Sequence, residues 1–120
     1  MTRSVKPDPW LAAARHLAEV ARSHPGVAGL AESGPVETRG RGAPVRGIAL
    51  RAGEERAVAT VAVTLHTGAV TEAGGLTPLV RSLRHALLDG WRRLDTGLPL
   101  DLHVQVLDLV PPGPAPASSS

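Results

Sequence analysis

The sequence predicts an α+β fold, a two-layer sandwich in which two helices cover one face of a small sheet. The sheet is expected to be mainly antiparallel, with three or four strands, in the order α-β-β-β-α-β. Three observations predict this fold: two segments with apolar residues at helical spacing, several segments that alternate apolar and polar residues, and Pro and Gly residues between them. Each clear strand has one apolar face, so helices are expected on one side of the sheet only.

The chain is long enough for one modest domain with an aliphatic core. Its 120 residues are fewer than two ordinary domains need. Hydrophobic residues make up 42% of the chain, but the only aromatic residues are two Trp. We therefore divide the chain into a flexible lead at 1–7, a single domain at 8–110, and a disordered Pro/Ala/Ser tail at 111–120 that has nothing to bury.

The first helix is predicted to begin at Asp8-Pro9, because Asp can cap free amides and Pro is tolerated in the first turn. One face of this helix carries small or apolar residues: Trp10, Ala13, Ala14, Leu17, Val20 and Ala21. The sequence SHPG at 23–26 ends the helix, since proline cannot continue it. Val27 and Leu30 are then expected to pack beneath the sheet.

Three strands are predicted next. A short strand at 35–39 leads through a turn at 40–44 into a strand at 45–53, where Gly47 indicates a bulge or a close approach. The clearest strand is 56–68, and its alternation divides the residues between two faces. The inner face consists of Ala59, Val61, Val63 and Leu65, and the outer face of Thr60, Ala62, Thr64 and His66.

The second helix follows a loop at 69–75 and repeats the cap-then-proline pattern at Thr77-Pro78. Its apolar stripe consists of Leu76, Leu79, Val80, Leu83, Leu87, Gly90, Trp91 and Leu94. Gly90 is expected to allow close packing against the sheet, and Gly97 to cap the end of the helix. The closing strand is 100–110, and it places His103 and Gln105 on the outer face.

Two stretches of the chain are similar to a known bacterial family. VARSHPGVAGL (20–30) runs from a helix of small residues into a Pro-Gly-Val step. VAVTLHTG (61–68), LVRSLRHALLDGWRRLDTGLPL (79–100) and DLHVQVLDLV (101–110) form a strand, a helix ending in Thr-Gly-Leu, and a strand of alternating valines. In these features the chain resembles an actinobacterial-type member of the alkaline shock protein family of Gram-positive bacteria. The resemblance covers roughly residues 10–110, although the TGAVTEAGGLTP loop is longer than is usual in the family.

The resemblance implies a small protein of the envelope stress response that acts through protein–protein contacts near the cytoplasmic membrane. Its implied partners are family paralogues or a small membrane anchor protein, with self-association also open and membrane contact only peripheral. It implies no enzymatic activity, and no cofactor or small-molecule substrate is expected. The N-terminus lacks an apolar signal region and no apolar run reaches about 20 residues, so a cytoplasmic location is expected.

Arginines are the most suggestive charged feature, although the formal net charge is only +2. One group is a candidate surface for an anionic partner: Arg39, Arg41, Arg46 and Arg51. A second group lies on the last helix: Arg81, Arg84, Arg92 and Arg93. They support an alternative function, a small nucleic-acid or anionic-surface binding module. Interspersed acidic residues favour an ordinary solvated surface instead, and the shortage of aromatic residues for base stacking counts against nucleic acid.

Two histidines lie on predicted outer faces and raise the question of a metal site. His66 and His103 would approach each other only if their strands were neighbours, and zinc would need a third ligand such as Glu72 or Asp101. The chain has no cysteine, its serines lack a G-x-S-x-G elbow, and its glycine-rich segments match no phosphate-binding fingerprint. We therefore predict no metal, cofactor or catalytic residues.

Overall fold

The computed structural model describes residues 9–40 and 43–111. The predicted lead at 1–7, the helix start at Asp8 and the tail from 112 onwards lie outside the described residues. The described elements, in chain order, are α1 (Pro9–Ser23), β1 (Val27–Leu30), β2 (Glu37–Thr38), β3 (Val45–Arg46), β4 (Ile48–Ala52), β5 (Ala57–His66), α2 (Thr67–Ala73), α3 (Leu76–Arg93) and β6 (Leu100–Val110). The α+β class is confirmed, but the predicted element order lacked one helix and two strands.

The long strand β5 is the centre of a four-stranded sheet. On one side β4 and β1 each pair antiparallel with half of β5, from Ala57 to Val61 and from Val63 to Leu65 respectively. On the other side β6 pairs with β5 in parallel along its whole length. The parallel pair arises because α2 and α3 return the chain to the end of the sheet at which β5 began. The sheet is therefore mixed, with two antiparallel pairs and one parallel pair.

Two segments form elements that the sequence did not predict. The segment expected to lie beneath the sheet is strand β1, which the preceding turn directs onto β5: the His66 amide donates to the Gly26 carbonyl at 2.9 Å. Most of the predicted 69–75 loop belongs to helix α2, which has no buried residue and ends at Gly74 with φ 88°. β1 and α2 both form through contacts with neighbouring segments, because neither segment has a sustained apolar pattern of its own.

Gly47 divides the predicted 45–53 strand in two. Its φ of 86° turns the chain, so that β3 pairs with β2 while β4 pairs with β5. A Cβ atom at this position would lie 2.7 Å from the Leu30 Cβ, which shows how closely β1 and β4 approach each other. Ala62 lies at this junction, where its amide donates to the Gly47 carbonyl, and it is fully buried despite its outer-face parity. The predicted close approach is confirmed.

The inner face of the sheet is covered by α1 and α3, as predicted. The four inner-face residues of β5 have no exposed surface, and the buried residues of α3 are Leu79, Leu83, Leu87, Gly90 and Trp91. The tight contact at Gly90 is with α1 rather than with the sheet, because a Cβ there would lie 2.9 Å from the Val20 Cγ2. The expectation that Gly90 packs against the sheet is therefore wrong.

Both predicted caps of α3 are also wrong. The helix begins at Leu76, after Gly75 with φ 136°, so Thr77 lies inside the first turn and no side chain caps it. The helix ends at Arg93, and Gly97, with φ 77°, lies in the turn that follows. That turn brings the Leu98 carbonyl back to accept a hydrogen bond of 2.7 Å from the Trp91 indole. The Trp91–Leu98 hydrogen bond depends on the helix ending at Arg93, because the turn that follows brings Leu98 back to Trp91.

Candidate functional site

The two histidines lie on neighbouring strands but far apart along them. His103 is in register with Thr60, whereas His66 is in register with Val110. Six residues along β5 correspond to about 20 Å, so one metal ion cannot bind both side chains. His103 Nε2 lies 3.6 Å from the Asp101 Oδ1 instead. Within 9–40 and 43–111 no three His, Cys, Asp or Glu side chains are grouped as metal ligands would be.

The first arginine group is interrupted by an acidic side chain. The Arg39 guanidinium forms an ion pair with Glu37, and Arg46 is the register partner of that same glutamate. Arg46 also donates to the Glu32 carbonyl at 3.0 Å. Arg51 lies on another strand, β4, and Arg41 is outside the described residues. Arg39 and Arg46 therefore lie on either side of a carboxylate rather than in a uniformly cationic surface.

Two arginines of the second group make intramolecular contacts. Arg93 pairs with Asp89 one helical turn earlier, at 2.8 Å, and both side chains are exposed. Arg84 crosses from α3 to β6, where its Nη1 donates to the Leu102 carbonyl at 2.6 Å. The Arg84 contact affects the outer edge of β6, because it satisfies the Leu102 carbonyl there.

Sequence reasoning missed a histidine–serine contact between the end of α1 and α3. The Gly26 amide donates to His24 Nδ1 at 3.0 Å, and His24 Nε2 lies 3.0 Å from the Ser82 Oγ. Since Nδ1 accepts, neutral His24 carries its proton on Nε2 and donates to the serine. Activating a serine nucleophile requires the opposite direction, with the imidazole accepting the hydroxyl proton. Burial lowers the pKa of His24 below its ordinary value, and the contact joins two elements of the fold.

A groove of about 920 Å³ separates α1 from β1 and the segment before β3. Its charged walls are mixed: Arg15, Arg22 and Arg46 line it together with Glu19 and Glu32. The strand on its floor, β1, is only four residues long and is bulged at Ala28. Because cations and carboxylates alternate, charge does not select one class of ligand for this groove.

One side chain occupies part of the outer edge of β4. The Thr38 hydroxyl accepts the Leu50 amide at 3.0 Å and donates to the Ile48 carbonyl at 2.5 Å. Gly47 donates its amide to the Val36 carbonyl at 2.8 Å just beyond. The Ile48 carbonyl and the Leu50 amide, two of the β4 backbone groups that a further strand would bind, are therefore already satisfied.

The outer edge of β6 is open. In the described part of the chain β6 pairs with β5 alone. The Pro99 carbonyl accepts the Ala57 amide, and hydrogen-bonding direction alternates along a strand. Leu102, Val104 and Val106 therefore direct their amides and carbonyls away from β5. Arg84 occupies the Leu102 carbonyl, and the Asp108 carboxylate accepts the Leu109 amide at 2.8 Å, so the unoccupied stretch begins at Val104 and does not include the Leu109 amide.

The same strand carries most of the exposed large apolar side chains of the described residues. Leu107, Leu109 and Val110 are 48%, 40% and 36% exposed, and the fourth such residue is Leu76 on α3. Leu107 forms a bulge in the pairing with β5. Lysine and proline, which commonly protect strand edges, are both missing from 100–110. We define the open edge of β6 as the backbone from Val104 together with these three side chains.

Edge strands were expected to be available for partner docking, but the sequence did not predict that β6 would carry the open edge, because alternation shows which face of a strand is apolar and not which side has a neighbour. No family model, curated protein or solved structure matches the chain. Among the described helices, none is long and apolar enough to cross a membrane.

Proposed function

We propose that this chain is a non-enzymatic interaction protein that binds a protein partner by strand addition to the open edge of β6. One observation carries the proposal: exposed leucines lie on an 11-residue strand that has a free hydrogen-bonding edge. An added strand would satisfy the outward amides and carbonyls of Val104 and Val106 and cover apolar surface, which contributes about 25 cal/mol per Å².

The chemistry of the other candidate sites supports an interaction role over catalysis or anion binding. His24 donates to Ser82 and so cannot act as the general base that a serine nucleophile requires. Glu37 forms an ion pair with Arg39 and is the register partner of Arg46, and this carboxylate disfavours a nucleic-acid or anionic-surface partner there. These two sites therefore support catalysis and anion binding less well than the open edge of β6 supports strand addition.

The proposal places the interaction in the envelope stress response, at the cytoplasmic side of the membrane. This part rests on the resemblance of residues 20–30 and 61–110 to the alkaline shock protein family. The partner strand would then come from a paralogue, from a small membrane anchor protein or from another copy of the chain. Membrane contact would be peripheral and mediated by that partner.

The test compares two lysine substitutions at bulged positions of different edge strands. Leu107→Lys places a charge on the open edge, and Ala28→Lys places the same charge on β1. Each tagged full-length variant is expressed in the native cell, and the proteins that co-purify are identified. We expect wild type and A28K to retain the same polypeptide and L107K to lose it. Equal retention by L107K would exclude the open edge as the binding site.

A further inference from the structure

We propose that the strand added to β6 is the β6 of a second copy of this chain, antiparallel to the first about a two-fold axis at Gln105. The inference rests on the proposed function and names its partner. Antiparallel pairing of one strand with itself makes both copies contribute the same surface, and so closes the open edge on each at once.

The Arg84 contact selects the register. An axis at Gln105 pairs Val104 of each copy with Val106 of the other, and both residues direct their backbone groups towards the open edge. Each such pair exchanges two hydrogen bonds. An axis at Val104 would instead pair Leu102 with Val106, and would have to displace Arg84 from the Leu102 carbonyl. With the Gln105 axis the backbone pairing is confined to Val104–Val106, between the two Arg84 contacts.

Charge complementarity supports the same register. In one copy Leu102 is opposite Ala59 and Asp108 is opposite Thr64, so Asp108 lies about 17 Å from the Arg84 contact of its own chain. With the axis at Gln105, Asp108 of the second copy lies level with His103, next to the Leu102 carbonyl that holds the Arg84 guanidinium; its carboxylate also accepts the Leu109 amide of its own chain at 2.8 Å. Each dimer then contains two Arg84–Asp108 contacts between copies.

Like charges stay apart in this arrangement. The two Leu102 carbonyls are separated by six residues along the strand direction, so the two Arg84 side chains are about 20 Å apart. On the inner face Val104 meets Val106 of the other copy, and on the outer face Gln105 meets its own equivalent. The seam therefore has apolar side chains on one face, amides on the other, and an ion pair at each end.

A charge exchange tests the contact between copies. Arg84→Glu and Asp108→Arg each turn both Arg84–Asp108 contacts of the homodimer into like-charge contacts. We expect each variant to raise the dimer Kd about 10-fold or more, measured by sedimentation or light scattering against the chain mass of 12.4 kDa. Mixing R84E with D108R restores both contacts, so the mixture should form heterodimers with near wild-type affinity.

Single cysteines test the register without depending on charge, because the chain has no native cysteine. Gln105→Cys lies on the axis opposite its own equivalent, in a non-hydrogen-bonded pair whose Cβ atoms are about 5 Å apart. The matched control, Asp101→Cys, is on the same face and strand but about 26 Å from its equivalent. We expect mild oxidation to link Q105C into a dimer much faster than D101C.

The outcomes separate the inference from the proposed function. A wild-type chain that remains monomeric at its highest soluble concentration overturns the inference, as does equal cross-linking of Q105C and D101C. Failure of the R84E and D108R mixture to pair, when both variants melt cooperatively, overturns the Gln105 register. If the chain is monomeric but L107K still abolishes capture of another protein, the proposed function stands and only the self-pairing is lost.

Discussion

Gly90 marks the point where α3 approaches α1, and replacing it with alanine tests that approach. The added Cβ would lie 2.9 Å from the Val20 Cγ2 and 3.5 Å from the His16 Nε2. Val20 is β-branched and in a helix has one strongly preferred rotamer, so it cannot easily move aside. Alanine gains about 1 kcal/mol in helix propensity, but overpacking costs about 1–3 kcal/mol. We therefore expect Gly90→Ala to lower the free energy of unfolding by about 1 kcal/mol.

Urea unfolding followed by circular dichroism measures this change, and the chain offers a matched control. Gly68 lies in helix α2, and a Cβ added there would meet no atom within 4 Å. Gly68→Ala should therefore stabilise the protein by up to about 1 kcal/mol, the propensity gain alone. Adding Val20→Ala to G90A should recover part of the loss. A G90A variant as stable as G68A would refute the close packing of α1 on α3.

Three further predictions concern the edge of β4, the His24 contact and the histidines of the sheet. Thr38→Val leaves the Leu50 amide and the Ile48 carbonyl without their hydrogen-bond partner, so we expect the free energy of unfolding to fall by about 2–3 kcal/mol and amide hydrogen exchange at Leu50 to become faster. Unchanged exchange at Leu50 would contradict the role of Thr38 at the β4 edge. Burial lowers the pKa of His24 below 6.5, so near that pH the folded chain binds fewer protons than the unfolded chain. The contribution of neutral His24 to the free energy of unfolding is therefore fully present above pH 6.5 and is lost as the pH falls through the lowered pKa. The melting temperature should accordingly decrease more between about pH 7 and pH 5 for wild type than for His24→Gln. If the melting temperatures of the two proteins changed equally with pH, His24 would not contribute to the pH dependence of stability. Zinc should leave the melting temperature unchanged, because His66 and His103 are about 20 Å apart; a zinc-dependent rise that is lost in His103→Ala would contradict that separation.

The long elements could be predicted from the sequence because each has a sustained period. Alternation over ten or more residues is enough to identify β5 and β6, and the apolar stripe is enough for α3. The four residues of β1 include a glycine and a bulge, and only pairing with β5 makes them a strand. α2 has no fully buried residue and packs only Ala69 and Val70 partly against the core, so its sequence has no sustained apolar stripe to recognise.

The site was less predictable than the fold, because it depends on register and on lateral neighbours. Parity correctly placed His66 and His103 on the outer face, but their separation is determined by how the crossover through α2 and α3 aligns β6 with β5. The spacing of the arginines could not show that Glu37 lies between Arg39 and Arg46, since that follows from the β2–β3 pairing. The open edge likewise depends on which strands lie beside β6.

The hydroxyl of Thr38 has a consequence for aggregation. A sheet with two free sides can add copies without limit, as fibrils do, whereas a sheet with one blocked side cannot. The Thr38 hydrogen bonds occupy the Ile48 carbonyl and the Leu50 amide on the β4 side, and the short, bulged β1 offers little template beside it. The proposed pairing through β6 would then leave little edge on the opposite side for a further copy, which favours a finite assembly over a polymer.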